Sequence, residues 1–251
     1  MPLVSVTQAD LDRWHVRYPS LADVWPLSPL QSGLLFHALM TGEDDVDVYT
    51  MQAVLDLEGA VDPERLHRAA QALLDRHANL RTVFVTDADG DSVQLVLDDV
   101  QVPWRTVDMS AEVAADGVTA TVPFWKDEEA RRFVMDTGPL MRFVLVHLGD
   151  GRYQLGVTTH HVLVDGWSMP LLMQDLMALY ATRGEVSLLP RVRSYRSFLE
   201  WVTARDRESS REAWAQTFAG FEEPTLLAPQ TPRHPGLQGD DRVKVELDAE
   251  R

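Results

Sequence analysis

The sequence predicts an α+β fold, and three features carry that expectation. Residues Leu140 to Leu148 and Arg152 to Thr159 read as two strands joined across Gly149-Asp150-Gly151, a hairpin. Apolar positions recur at helical spacing in Leu66, Ala70, Leu73 and Leu74, and again in Leu172, Leu176, Leu179 and Tyr180. The composition, 45% apolar and 25% charged, is that of an ordinary globular chain with enough apolar surface for a core.

Charge and cysteine usage narrow the function classes. A net charge of −16 argues against nucleic acid or an anionic membrane as partner. No apolar run approaches the ~20 residues of a membrane span, and the N-terminus lacks a signal-peptide pattern. With no cysteine, disulfides, thiolate metal sites and a cysteine nucleophile are excluded. The expected compartment is the cytoplasm, and if acyl groups are transferred, any thioester must sit on a partner or cofactor.

In chain order, Thr7 and Asp10 form a capping pair for a first helix carrying Leu11, Trp14 and Tyr18. Pro19 to Pro26 reads as a turn-rich connector. Ser28, Pro29 and Gln31 place an N-cap, a first-turn proline and a capping-box glutamine before a second helix. Val46 to Leu57 alternates like a strand, and Asp62-Pro63 opens a third helix. Arg76 and His77 fall at that helix's C-terminus, where the backbone dipole favours cations, and a strand follows. Asp87 to Asp91 is a turn before the strand Ser92 to Leu97; its acidic spacing does not fit a calcium loop, and no metal is expected. Residues 107–121 give no clear signal. Trp125 to Asp136 reads as a helix stopped by Thr137-Gly138-Pro139. After the hairpin, Ser168 is placed as the cap of a helix that Gly184 ends, with free backbone N–H groups at its start. Ser187 to Arg193 is a linker and Ser209 to Phe221 a helix. A proline-rich coil from Glu223 to Gly239 and a strand opening at Arg242 to Leu247 close the chain.

The chemistry concentrates in Thr158-Thr159-His160-His161-Val162-Leu163-Val164-Asp165-Gly166-Trp167-Ser168. Adjacent strand residues face opposite ways, so His160 and His161 cannot both reach one atom. His161 shares the parity of apolar Tyr153, Leu155 and Val157, which points it inward, with His160 on the other side. A strand-end imidazole can serve as a general base near neutral pH, though such a histidine is more often a packed supporting residue. Two histidines, an aspartate four residues after the second, a glycine and a helix start in one window favour the chemical reading.

That window resembles the HHxxxDG signature of condensation domains of nonribosomal peptide synthetases, within the chloramphenicol-acetyltransferase-like acyltransferases. Pro26-Leu27-Ser28-Pro29-Leu30-Gln31-Ser32-Gly33-Leu34-Leu35-Phe36-His37 resembles their first core motif. Arg76-His77-Ala78-Asn79-Leu80-Arg81-Thr82-Val83-Phe84 resembles the second, and Ser194 to Trp201 a later one. The resemblance implies a mixed sheet flanked by helices, with His161 as the catalytic or substrate-positioning histidine. His160, Asp165, Gly166 and Arg81 complete the implied site, Asp165 as a structural partner of Arg81. Trp167 and Ser168 are implied substrate contacts, with lid or core packing the favoured reading of Trp167. The wording of the first two motifs is most like the subgroup with a D-configured donor and an L-configured acceptor.

The implied activity is amide formation between a donor aminoacyl or peptidyl thioester and an acceptor amine. Both are held by upstream and downstream peptidyl carrier proteins among the adjacent domains of a synthetase. Phosphopantetheine is carried by those partners, with no cofactor on this chain. The resemblance covers a first lobe, expected over 1–185, and a linker plus the truncated start of a second, 186–251. A fragment of this kind is expected to be inactive alone and to expose apolar surface. Three other readings compete: a free-standing acetyltransferase, an epimerisation domain sharing the signature, and a non-catalytic platform. The long stretch after His161 and the two upstream motifs count against the first, and the intact histidine signature against the last.

Overall fold

A computed structural model describes residues 3–42 and 47–222. The chain divides into two compact units, residues 1–205 and 206–251. In the first, α1 (Gln8–Arg17) begins at the expected capping box: Thr7 Oγ accepts from the Asp10 N–H, and the Asp10 carboxylate accepts from the Thr7 N–H. Its Trp14, with Tyr18 just beyond, is buried against Val83, Val93 and Leu95. The segment expected to be a connector is instead largely a strand, β1 (Leu21–Pro26). Leu21 and Val24 pack on the α1 side while Trp25 is buried with Val96 and Leu199 on the other. Pro26 is tolerated because β1 is an edge strand of its sheet, where no second neighbour needs the missing N–H. Helix α2 (Pro29–Met40) starts at the Ser28/Gln31 box; its outer side leaves Leu30, Phe36, Leu39 and Met40 exposed.

Strand β2 (Thr50–Glu58) starts four residues after Val46, which with 43–45 lies outside the described residues. Helix α3 (Pro63–Arg76) is capped by Asp62, and buries Leu66, Ala70, Leu73 and Leu74 as its period requires. Strands β3 (Thr82–Thr86) and β4 (Ser92–Leu97) follow, their turn closed by Asp87 Oδ1, which accepts from the Asp89 and Asp91 amides. The stretch without a clear pattern yields β5 (Trp104–Asp108) and α4 (Ser110–Asp116). Helix α5 (Thr121–Ala130) begins and ends earlier than expected. Arginines end it: Arg142 takes the carbonyls of Glu128 and Arg131, and Arg132 reaches away to carbonyls at the end of α2. Backbone acceptors that another helical turn would need are thereby engaged.

The hairpin forms as β6 (Met141–Gly149) and β7 (Arg152–His160), followed by α6 (Ser168–Ala181) and α7 (Tyr195–Thr203). A three-stranded antiparallel sheet has the order β1-β4-β3. A four-stranded mixed sheet has the order β2-β7-β6-β5, with β5 parallel to β6 and the other pairs antiparallel. Leu155, Val157, Phe143 and Leu145 face α3 and α6 in the main core. Val144 and Val146 face Val113 and Trp125, so α4 and α5 cover the other face. In the second unit, α8 (Arg207–Thr217) is capped by Asp206, whose carboxylate accepts from the Glu208 and Ser209 amides. The expected coil and final strand, from Glu223 on, lie outside the described residues.

Candidate active site

The two histidines occupy the point where β7 leaves the centre of the mixed sheet. His160 is the strand's last residue, opposite Thr50. It is completely buried, whereas His161 is only partly so. This corrects the inward assignment made from strand parity. The polar face of β7 is not a solvent face: the Trp125 indole lies against Gly156 and donates to Gln154 Oε1 at 2.7 Å. Both faces are covered, so alternation does not separate inside from outside.

The backbone around His161 is held on both sides. Its own N–H donates to the Tyr49 carbonyl at 2.8 Å, and the Val162 N–H donates to His160 Nδ1 at 3.1 Å. An accepting Nδ1 places the proton of neutral His160 on Nε2. That atom lies 3.3 Å from Asp47 Oδ2, an ion-pair distance without hydrogen-bond alignment. Burial pushes the Asp47 carboxyl up, but the nearby His160 ring, the Tyr49 N–H and the Arg132 charge outweigh it and hold the group below its ordinary value. His161 Nδ1 is buried without a hydrogen-bond partner among the described residues.

Beyond His161 the loop turns into the core through Val162, Leu163 and Val164. Gln31 donates to the Val162 carbonyl at 3.1 Å, and Asn79 to the Leu163 carbonyl at 3.4 Å. Three of the four sequence motifs therefore meet at one loop. In sequence Gln31 read as a helix cap and Asn79 as part of the motif wording, neither with a bond to this loop, and Asp47 gave no signal. Their roles arise from contacts with residues far along the chain.

Asp165 does not pair with Arg81. Its Oδ1 accepts from the Ser168 amide (2.8 Å) and hydroxyl (2.7 Å), bonds that hold its carboxyl below the usual range. Ser168 is thus the first residue of α6 rather than its cap, and its N–H is already engaged. The Met169 N–H likewise donates to the Asp165 carbonyl. Arg81, in the short turn after α3, is spent on the Leu74 and Leu97 carbonyls and on Asp98 at 2.6 Å. The ion pair linking the second motif to α6 is Arg76 with Asp175 at 2.9 Å, and His77 Nε2 contacts the same carboxylate oxygen at 2.9 Å. These partners replace the dipole role expected of Arg76 and His77.

Gly166 has open space where a side chain would begin, and no left-handed backbone requires a glycine there. Trp167 is 87% exposed. A cavity of about 440 Å³ lies away from the histidine loop, between α1, α2 and β3. Its Arg13 and Arg17 are already paired with Asp10 and Asp136, so it offers no chemistry comparable to the loop.

Among solved structures, the fold matches condensation domains. The starter condensation domain of rhizomide synthetase in complex with C8-CoA superposes with a TM-score of 0.74 at 19% identity, over 89% of this chain and 50% of that one. The first condensation domain of the calcium-dependent antibiotic synthetase, with a substrate analogue, gives 0.67 at 21%, over 81% and 49%. The mixed sheet flanked by helices is accordingly the chloramphenicol-acetyltransferase-like fold.

At the sequence level, the condensation-domain family model matches residues 21–251, and the chain belongs to that family. One of the linear gramicidin synthase proteins of Brevibacillus parabrevis is 32% identical over 229 residues, 90% of this chain and 3% of that protein. Another linear gramicidin synthase protein of the same organism is 34% identical over 206 residues, 81% and 4%. The chain spans about half the length of the solved domains and a few per cent of these synthase proteins.

Proposed function

We propose that this chain supplies the histidine-bearing part of a condensation domain that forms an amide between two carrier-bound substrates. The observation that carries the reading is His161, partly exposed at the exit of β7 with its backbone anchored to Tyr49 and flanked by the Val162–His160 bond. Fixing a base or hydrogen-bond acceptor in one place favours proton transfer at a defined atom. The acceptor's α-amine attacks the donor thioester carbonyl; the C–N bond forms, the C–S bond breaks, and the amine proton leaves as the thiolate is protonated. His161 takes that proton or orients the amine that loses it.

The thioesters belong to phosphopantetheine arms on upstream and downstream carrier proteins, brought as substrates. The open space at Gly166 lets such an arm pass close to the backbone, with Trp167 and Ser168 beside it. His160, Asp165 and Arg81 serve as supports of this loop and its surroundings rather than as reacting groups. Residues 1–185 form the first lobe, and 186–251 lead into a second. The subgroup reading, a D-configured donor and an L-configured acceptor, rests on the Leu34-Leu35-Phe36-His37 and Ala78-Asn79 wording. A cytoplasmic location is part of the same reading; no described helix is long and apolar enough to cross a membrane.

The test uses the complete domain with both carriers loaded and intact-mass spectrometry of each. Joined product on the acceptor carrier, lost in His161→Ala with the fold retained, supports condensation. Deuterium wash-in at the donor Cα without joined product replaces the reading with epimerisation.

A further inference from the structure

We propose that Asp47 is a positioning residue for His161, acting through the ring of His160 and the carbonyl of Tyr49. The inference rests on the reading of His161 as the histidine that meets the substrate amine.

Buried polar side-chain atoms without a hydrogen-bond partner are rare in folded chains and mark places where something other than stability sets the arrangement. Among the described residues these atoms are Asp47 Oδ2, Thr50 Oγ1, Arg132 Nε, His160 Nε2 and His161 Nδ1. They belong to one neighbourhood. Asp47 faces His160 at 3.3 Å, Thr50 is the cross-strand partner of His160, Arg132 acts on the Asp47 charge, and His161 is next in sequence. A hydrophobic residue at Asp47 would relieve much of this, so simple packing does not explain a carboxylate whose side chain is only 2% exposed.

The carboxylate has two tasks at once. Oδ1 accepts from the Tyr49 N–H at 3.0 Å, and the Asp47 carbonyl accepts from the Thr50 N–H at 3.1 Å, closing a tight turn. That turn aims the Tyr49 carbonyl, which accepts from the His161 N–H at 2.8 Å. Oδ2 meanwhile faces the Nε2 of His160 and favours the proton there. Nδ1 is then left as the acceptor for the Val162 N–H. One side chain thus governs the amide of His161 and the amide that follows it. An asparagine of the same size has only one acceptor atom and sets an N–H donor against either Tyr49 or His160.

The experiment begins with the 251-residue chain labelled with ¹⁵N. Long-range imidazole spectra are expected to show His160 with its proton on Nε2 and an unprotonated Nδ1. In Asp47→Asn, at unchanged far-UV circular dichroism, the His161 and Val162 amides should shift and the Nε2–H form of His160 should lose its dominance. A wild-type His160 protonated on Nδ1 overturns the proposal without any variant. So do His161 and Val162 amides in Asp47→Asn that overlay the wild type. If Asp47→Asn does not fold, Asp47→Glu takes its place: its two acceptor oxygens should keep the Nε2–H form of His160 dominant, while the longer side chain displaces the turn and shifts the His161 and Val162 amides. In the complete domain, Asp47→Asn should lower kcat by up to about 100-fold, the cost of misplacing a reacting group by about 1 Å, with KM for the loaded acceptor carrier unchanged. An unchanged kcat overturns the proposal. A wild-type domain that forms no amide, combined with the expected spectra, removes the condensation reading and leaves the positioning geometry standing.

Discussion

Gln31 in the first turn of α2 donates to the carbonyl of Val162, 3.1 Å away, tying a helix start to the exit of the histidine strand across most of the chain. The same side chain accepts from the Ser28 N–H at 3.0 Å and contacts Gln94, all within the buried interior. Gln31→Ala removes every one of these partners. Each buried group left unsatisfied costs about 1–3 kcal/mol, so the urea midpoint should fall clearly. Gln31→Glu keeps an acceptor for Ser28 but has no donor for Val162. It should preserve helicity while lowering both stability and amide formation in the complete domain; equal stability of Glu and wild type would remove the Val162 bond as a contributor.

Acid should weaken the α3–α6 contact in two stages. Burial holds His77 below its ordinary value of 6.5, with the Asp175 carboxylate opposing but not reversing the shift. The unfolded chain therefore binds that proton first, and stability from this group is lost as pH falls from about 6.5 towards the lower folded value. Asp175 is also held low: burial raises it, but hydrogen bonds from Arg76 and His77 outweigh that. Its stabilisation is present above the unfolded value of 3.8 and is lost on further acidification. His77→Gln does not titrate and can still donate to Asp175. Melting temperatures at about pH 7.5 and 5.5 should differ more for wild type than for His77→Gln; equal differences would place the His77 ring in water.

A methyl group added to Gly156 would stand 2.2 Å from the Trp125 ring, well inside contact distance. The indole is fixed by its bond to Gln154, which donates in turn to Asp56 at 3.0 Å, so the ring cannot simply swing aside. Gly156→Ala should cost about 1–3 kcal/mol by overpacking and alter the near-UV circular dichroism of Trp125. A wild-type spectrum and melt would mean that α5 moves freely off the sheet.

Much of this arrangement is local enough to read from sequence. Thr7 with Asp10, Ser28 with Gln31, and Asp62 before Pro63 each start a helix through bonds spanning three residues. The β6–β7 hairpin follows from alternation on either side of a glycine-rich turn. What failed to show depends on distant partners. Two prolines hid β1, whose pairing with β4 and packing under Leu199 are tertiary. His160 is buried against Tyr49 and Asp47, partners more than a hundred residues away. The histidine window announced itself by residue type, but its supports did not, because the contacts of Gln31 with Val162, Asn79 with Leu163 and Asp47 with His160 join residues that no short pattern brings together.

Asp165 and Arg81 illustrate the same limit and can be tested as a pair. Asp165 closes the turn into α6 through Ser168, and Arg81 ties the end of α3 to the end of β4 through Leu74, Leu97 and Asp98. Asp165→Ala removes the side-chain acceptor at a helix start and should cost about 0.5–2 kcal/mol. Arg81→Ala leaves the part-buried Leu74 and Leu97 carbonyls without their donor and should cost about 1–3 kcal/mol. With no shared partner, the two losses should add to within about 0.3–0.5 kcal/mol in a double-mutant cycle followed by chemical denaturation. A coupling well above that, with the double variant more stable than the sum of the singles, would restore a direct ion pair between Arg81 and Asp165. Additivity would assign the aspartate of the signature to shaping the helix entry next to His161.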